Sequence, residues 1–195
     1  MSLEKKITGL FFGSFNPVHH GHMMIASHLK QFSGLGEIWF IVSPHNPLKE
    51  KSSLLDSRQR LHMLNLAVGD CSWMKVSDIE LKLPQPSYTI HTLAHLKELF
   101  PRKQFALIMG SDSLRTLPKW KNYEAILAHY PIYVYPRKGD VENLPDFGGH
   151  IIYTQAPEVE VSSSFIRKAI AEKKDMRYYI PTAAFNYLDE MNFYK

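Results

Sequence analysis

The sequence predicts an α/β fold, in which a doubly wound, mostly parallel sheet carries helices on both faces. Three observations lead there. Short apolar runs of strand length recur along the chain, stretches with helical spacing of apolar residues alternate with them, and glycine or proline closes several of the runs. Strands that alternate with helices pair in parallel, and a parallel sheet must be covered on both sides.

The elements follow in order. Ile7-Thr8-Gly9-Leu10-Phe11-Phe12 is an apolar run ended by Gly13 and reads as a buried strand. After Pro17, Met23, Ile25, Ala26 and Leu29 recur at helical spacing, and Glu37 to Val42 repeats the strand pattern before Ser43-Pro44, which makes a βαβ unit. Asp56-Ser57 opens a helix carrying Leu61, Leu64, Leu66, Ala67 and Val68. A strand is expected from Trp73 to Leu81 and a helix from Thr89 to Phe100. Two more apolar strands, Phe105 to Met109 and Pro131 to Tyr135, end at Gly110-Ser111-Asp112 and at Pro136. Arg137 to Phe147, rich in Gly, Pro and charge, reads as a surface loop, and Ile151-Ile152-Tyr153 as a further strand. Val161-Ser162-Ser163-Ser164 has the serines of a capped helix start, and a last helix containing Ala184, Phe185, Tyr187 and Leu188 follows Ile180-Pro181-Thr182. This order is Rossmann-like, and ligands of such sheets collect beyond the carboxyl ends of the strands, where strand order switches.

Bulk composition narrows the class. At 195 residues, with 45% hydrophobic and 22% charged residues, the chain suits one domain over residues 1–195. The excess of 23 basic over 19 acidic residues is small, and the Lys and Arg are scattered, which argues against nucleic acid and allows a pocket for polyanionic small molecules. The single cysteine, Cys71, cannot close an internal disulfide, and no segment approaches the length of a membrane span; a cytoplasmic protein is expected. A homo-oligomer is compatible with the sequence.

The end of the first strand carries the chemistry. Phosphate asks for close approach of backbone amides and for cationic or hydrogen-bonding side chains. Gly13 is expected to let the backbone press against a ligand, and Pro17 to fix the turn. His19 and His22, three apart, fall on one face of a first helical turn, where the helix dipole favours an anion; His20 points elsewhere. No carboxylate or cysteine at ligand spacing accompanies them, so no metal site is expected from the chain.

Gly13-Ser14-Phe15-Asn16-Pro17-Val18-His19-His20-Gly21-His22 resembles the Gly-x-Phe-x-Pro-x-His-x-Gly-His signature of the HxGH nucleotidyltransferase superfamily, matching six specified positions in ten residues. Asn16 stands where that signature often has Asp. Nearly the whole chain is similar to the bacterial nicotinate mononucleotide adenylyltransferases. Pro86-Ser87-Tyr88-Thr89 looks like their nicotinate segment, and Gly110-Ser111-Asp112-Ser113 with Leu117-Pro118-Lys119-Trp120 like their Gly-x-Asp and Leu-x-x-Trp segment. Val161 to Arg167 resembles their Ser-Ser-Thr-x-Ile-Arg phosphate motif.

The resemblance implies adenylyl transfer from ATP to a pyridine mononucleotide. His19, His22 and Arg167 are implied as catalytic. ATP is implied to meet Gly13, Ser14, Phe15, His19, His22, Gly110, Asp112, Ser163, Ser164 and Arg167, with Asp112 on ribose hydroxyls. The mononucleotide is implied to meet Ser14, Phe15, Lys49, Thr89, Leu117, Trp120 and Arg137, with Trp120 as a stacking platform. Pro47-Leu48-Lys49 has Leu48 where the family has His, Arg60 falls on a family arginine that could equally be a solvated residue, and His91 replaces a frequent Asp. Magnesium carried with ATP is the expected cofactor, since that ion keeps its waters and uses few protein ligands. Side chains do not separate nicotinate from nicotinamide. Pantetheine phosphate as acceptor, a cytidylyl donor, and a nucleotide-binding regulatory module are the rival readings.

Overall fold

The computed structural model describes residues 6–44, 54–137, 145 and 147–195. Its elements are β1 (Thr8–Gly13), α1 (His20–Phe32), β2 (Glu37–Val42), α2 (Ser57–Val68), β3 (Met74–Ser77), α3 (Ile79–Lys82), α4 (Thr89–Leu99) and β4 (Phe105–Gly110). There follow α5 (Ser111–Thr116), a 3-10 turn (Leu117–Lys119), α6 (Tyr123–His129), β5 (Ile132–Tyr135), β6 (Ile151–Tyr153), α7 (Ser163–Ala171) and α8 (Thr182–Glu190). The strands form one sheet in the order β3-β2-β1-β4-β5-β6, and every pairing among them is parallel.

The period of two along each strand splits the core. Phe11, Ile38, Phe40, Ala106, Ile108, Tyr133 and Tyr135 pack on one side with residues of α1, α2, α7 and α8. Leu10, Trp39, Ile41, Leu107, Met109, Ile132 and Val134 pack on the other with Ile79, Leu93, Leu96, Leu114, Leu117 and Ile126. Successive strand residues point to opposite faces, so continuous apolar runs such as Phe105 to Met109 serve both clusters at once. β1 is central, and the chain turns from building one half of the sheet to building the other between β1 and β4. That switch leaves a crevice at the carboxyl ends of these two strands.

Two expectations need correction. The run from Trp73 to Leu81 is not one strand: β3 ends at Ser77, whose Oγ accepts from the Ile79 amide at 3.3 Å, and α3 begins. Ser77-Asp78 offers a local side-chain acceptor that competes with the strand ladder, and the apolar residues beyond it serve a helix that buries Ile79 and Glu80. The stretch between Gly110 and Pro131 also holds α5, the 3-10 turn and α6, which no sequence pattern had marked. Each is short, and tertiary packing of Leu114, Leu117 and Ile126 holds them rather than helical periodicity. Of the loop expected from Arg137 to Phe147, all but Arg137, Pro145 and Phe147 lies outside the described residues.

Candidate active site

The turn after β1 is organised by an aromatic ring. Phe15 is buried with φ 45°, and its ring meets Phe11, Phe40 and His22 edge-on, with centroids 5.9, 5.6 and 5.0 Å away. A Cβ on Gly13 would lie 2.9 Å from that ring. Gly13 is therefore needed to seat Phe15, and the left-handed conformation falls on Phe15 itself; the expected backbone freedom of Gly13 is not what shapes the turn. The Phe15 side chain faces the core, which leaves only its main chain to a ligand.

His19 is the N-cap of α1 and His22 its third residue. The rings stack at 3.7 Å between centroids and 27° between planes. The His19 amide donates to Nδ1 of His22 at 3.2 Å, so the His22 proton sits on Nε2. His19 is only 4% exposed, and its Nδ1 has no hydrogen-bond partner. Burial, with the charges of Arg137 and His20 adding to it, pushes its pKa down to about 3. His19 thus enters the site as a neutral imidazole, whereas His20 is exposed.

The depressed pKa makes stability pH-dependent. An imidazole that ionises near 6.5 unfolded and near 3 folded lets the unfolded chain bind more protons between those values. The contribution of His19 is complete above pH 6.5 and is lost as pH falls toward 3, at no more than about 1.4 kcal/mol per unit. Urea unfolding of His19→Gln should show a flatter fall in stability than the parent through that acid window; parallel curves would contradict it.

Residues distant in sequence meet at Asn16-Pro17. Ser163 Oγ donates to the Pro17 carbonyl at 2.8 Å and Arg167 Nη1 to the Asn16 carbonyl at 2.7 Å, which brings the start of α7 against the start of α1. Ser164 is exposed beside Arg167, whose Nη2 lies 3.4 Å from its Oγ. The Ser162 side chain caps α7 by accepting from the Phe165 amide. His19, His22, Ser163, Ser164 and Arg167 are therefore brought to neighbouring positions at two helix N-termini, a donor-rich surface suited to phosphate.

A cavity of about 570 Å³ occupies the crevice between β1 and β4. Gly13, Ser14, Thr89, Gly110, Asp112 and Trp120 all line it. A Cβ on Gly110 would collide with the Asp112 carboxylate. Arg137 is near but outside the lining, with Nε 3.9 Å from Asp112 Oδ1 and its amide donating to Ser111 Oγ. The Leu117 side chain is fully buried in the core beneath the cavity, and its carbonyl accepts from the Trp120 amide. Lys49 lies outside the described residues. His91 is exposed and meets the Tyr88 ring edge-on.

Other groups also surround the cavity and the turn after β1. Lys119 and Lys121 flank Trp120 in the lining, and Lys121 Nζ sits 4.6 Å above the Tyr88 ring; the alternation Lys-Trp-Lys was a readable signal. Glu80 is a buried carboxyl at the cavity wall that accepts from Thr92 Oγ1 at 2.8 Å and Ser87 Oγ at 3.2 Å; burial pushes its pKa up, against those hydrogen bonds. Arg60 is not solvated at all. It is 0% exposed and donates to the carbonyls of Leu55, Ser14, Ser43 and Pro44 and to Ser57 Oγ. No side-chain pattern could have signalled this, because four of its five partners are main-chain oxygens.

A family model described as cytidylyltransferase-like matches residues 10–169. A protein of Flavobacterium johnsoniae named "Probable nicotinate-nucleotide adenylyltransferase" is 52% identical over 189 residues, covering 96% of this chain and 98% of its own. One of the same name from Christiangramia forsetii is 50% identical and covers 99% and 100% of the two chains. Among solved structures, Plasmodium falciparum nicotinic acid mononucleotide adenylyltransferase complexed with NaAD shares the fold at TM-score 0.77, with 20% identity and 97% of each chain covered. The chain belongs to the cytidylyltransferase-like family, among the nicotinate-nucleotide adenylyltransferases.

Proposed function

We propose that the protein, as one nucleotidyltransferase domain, transfers AMP from ATP to nicotinate mononucleotide, giving deamido-NAD and pyrophosphate. One observation carries the reading. The Gly13-Ser14 turn lies between a cavity with an aromatic and cationic end and a cluster of paired imidazoles, serines and an arginine at two helix N-termini. Two substrates, one ending in a flat ring and one in a triphosphate, suit those two ends.

The mononucleotide phosphate attacks the α-phosphorus in line and pyrophosphate leaves. The nucleophile is already an anion, so the chain need supply no base. Its work is positioning and stabilising charge as it develops on the phosphate oxygens. His22 presents its Nε2 proton and His19 a neutral ring, while Arg167, Ser163 and Ser164 serve the leaving pyrophosphate. A magnesium ion would arrive with ATP, held mainly by its oxygens and water, because that ion keeps its waters and uses few protein ligands. When bound, such an ion would neutralise charge on the triphosphate.

At the other end Trp120 offers a face to the pyridine ring, and Lys119 and Lys121 make the surroundings positive for a ring carboxylate. Trp120→Ala is expected to raise the KM for the mononucleotide about tenfold while moving that for ATP little. Equal changes in both would contradict the platform. The function itself is tested by pyrophosphate release with ATP and each of the two pyridine mononucleotides. Nicotinate mononucleotide should be turned over faster, and absence of release with either would overturn the reading.

A further inference from the structure

We infer that Tyr194, in the carboxy-terminal tail, is a positioning residue for the triphosphate end of the site, acting through Asn16 on Arg167. The inference rests on the function proposed above. Asn16 is almost wholly buried, and its Oδ1 accepts from the Tyr194 hydroxyl at 2.6 Å and from the Leu55 amide at 3.2 Å. Its main-chain carbonyl accepts from Arg167 at 2.7 Å. One residue in the turn between β1 and α1 therefore ties the tail, the segment before α2 and the guanidinium on α7 together.

The direction of each bond matters. Burial raises the Tyr194 pKa, despite the charges of Arg167 and Arg60 nearby, so its hydroxyl keeps its proton and donates. Asn16, with a neutral amide, takes that donor without placing a carboxylate beside a triphosphate. A rotation of the Asn16 peptide would move the carbonyl that Arg167 grips, and with it a cation whose value to a phosphate depends on geometry. The Tyr194 ring also packs on Phe193, which in turn meets Tyr187 of α8, so the tail is held by aromatic contacts independent of the hydroxyl. Neither Tyr194 nor Asn16 lines the acceptor cavity.

Tyr194→Phe keeps the ring and removes one oxygen. In the full-length enzyme we expect a rise of roughly 5- to 10-fold in the KM for ATP, an unchanged KM for the mononucleotide, and a melting temperature within a few degrees of the parent. The decisive reading is a double-mutant cycle. If Tyr194 works through Arg167, Tyr194→Phe has no further effect in an Arg167→Ala background. Additive losses, an unchanged KM for ATP, or matched rises for both substrates would each overturn the inference. A parent enzyme that releases no pyrophosphate would instead remove the proposed function.

Discussion

His22→Ala is expected to lower turnover by roughly 10²–10³, the usual consequence of removing one donor aimed at developing oxyanion charge. The expectation rests on the tautomer. Because Nδ1 of His22 is engaged by the His19 amide, the donor is fixed on Nε2 and needs no reorientation when charge develops. The ring also packs against Phe15 and Phe11 and stacks on His19, so alanine would leave a cavity as well as remove a donor. His22→Phe separates the two effects. It keeps an aromatic ring in place without the N–H, and it should lose as much turnover as alanine while recovering most of the melting temperature. Pyrophosphate release under saturating substrates is the measurement, and near-normal turnover in the phenylalanine variant would sink the assignment.

Arg60→Met is expected to destabilise the fold by about 3–5 kcal/mol and to abolish ordered binding at the turn after β1. The guanidinium satisfies five oxygens drawn from three places: the turn at Ser14, the end of β2 at Ser43-Pro44, and the start of α2 at Leu55 and Ser57. Methionine fills the volume of the fully buried side chain but removes the donor that holds those five oxygens together. Lysine would keep the charge and reach only part of the set, since a point ammonium cannot reproduce a planar fork. Denaturant midpoints should therefore rank parent, then Arg60→Lys, then Arg60→Met. A methionine variant as stable as the parent would show that Arg60 is dispensable to the turn.

Legibility differed between parts of the site for a physical reason. The Gly13 to His22 turn, the Thr89 and Trp120 segments and the Asp112 turn could be read because their residue types are local and follow strands that an apolar run announces. Arg60 was visible as a letter but not in its role, because carbonyl partners carry no sequence identity. The burial of the Leu117 side chain in the core beneath the cavity follows from α5 and the 3-10 turn, elements too short to leave a period.

Local pattern alone determined the alternation of the main strands and helices, the parallel sheet and the turn from β1 into α1, since periods of two and 3.6 and the chemistry of Gly, Pro and Ser act within a few residues. Only the tertiary structure decided that His19 is neutral, because its charge state depends on burial and on Arg137 far along the chain. The same holds for Asn16. In the sequence it is a departure from a familiar pattern, and in the fold it joins Tyr194 to Arg167, a connection made by long-range packing that no local propensity encodes.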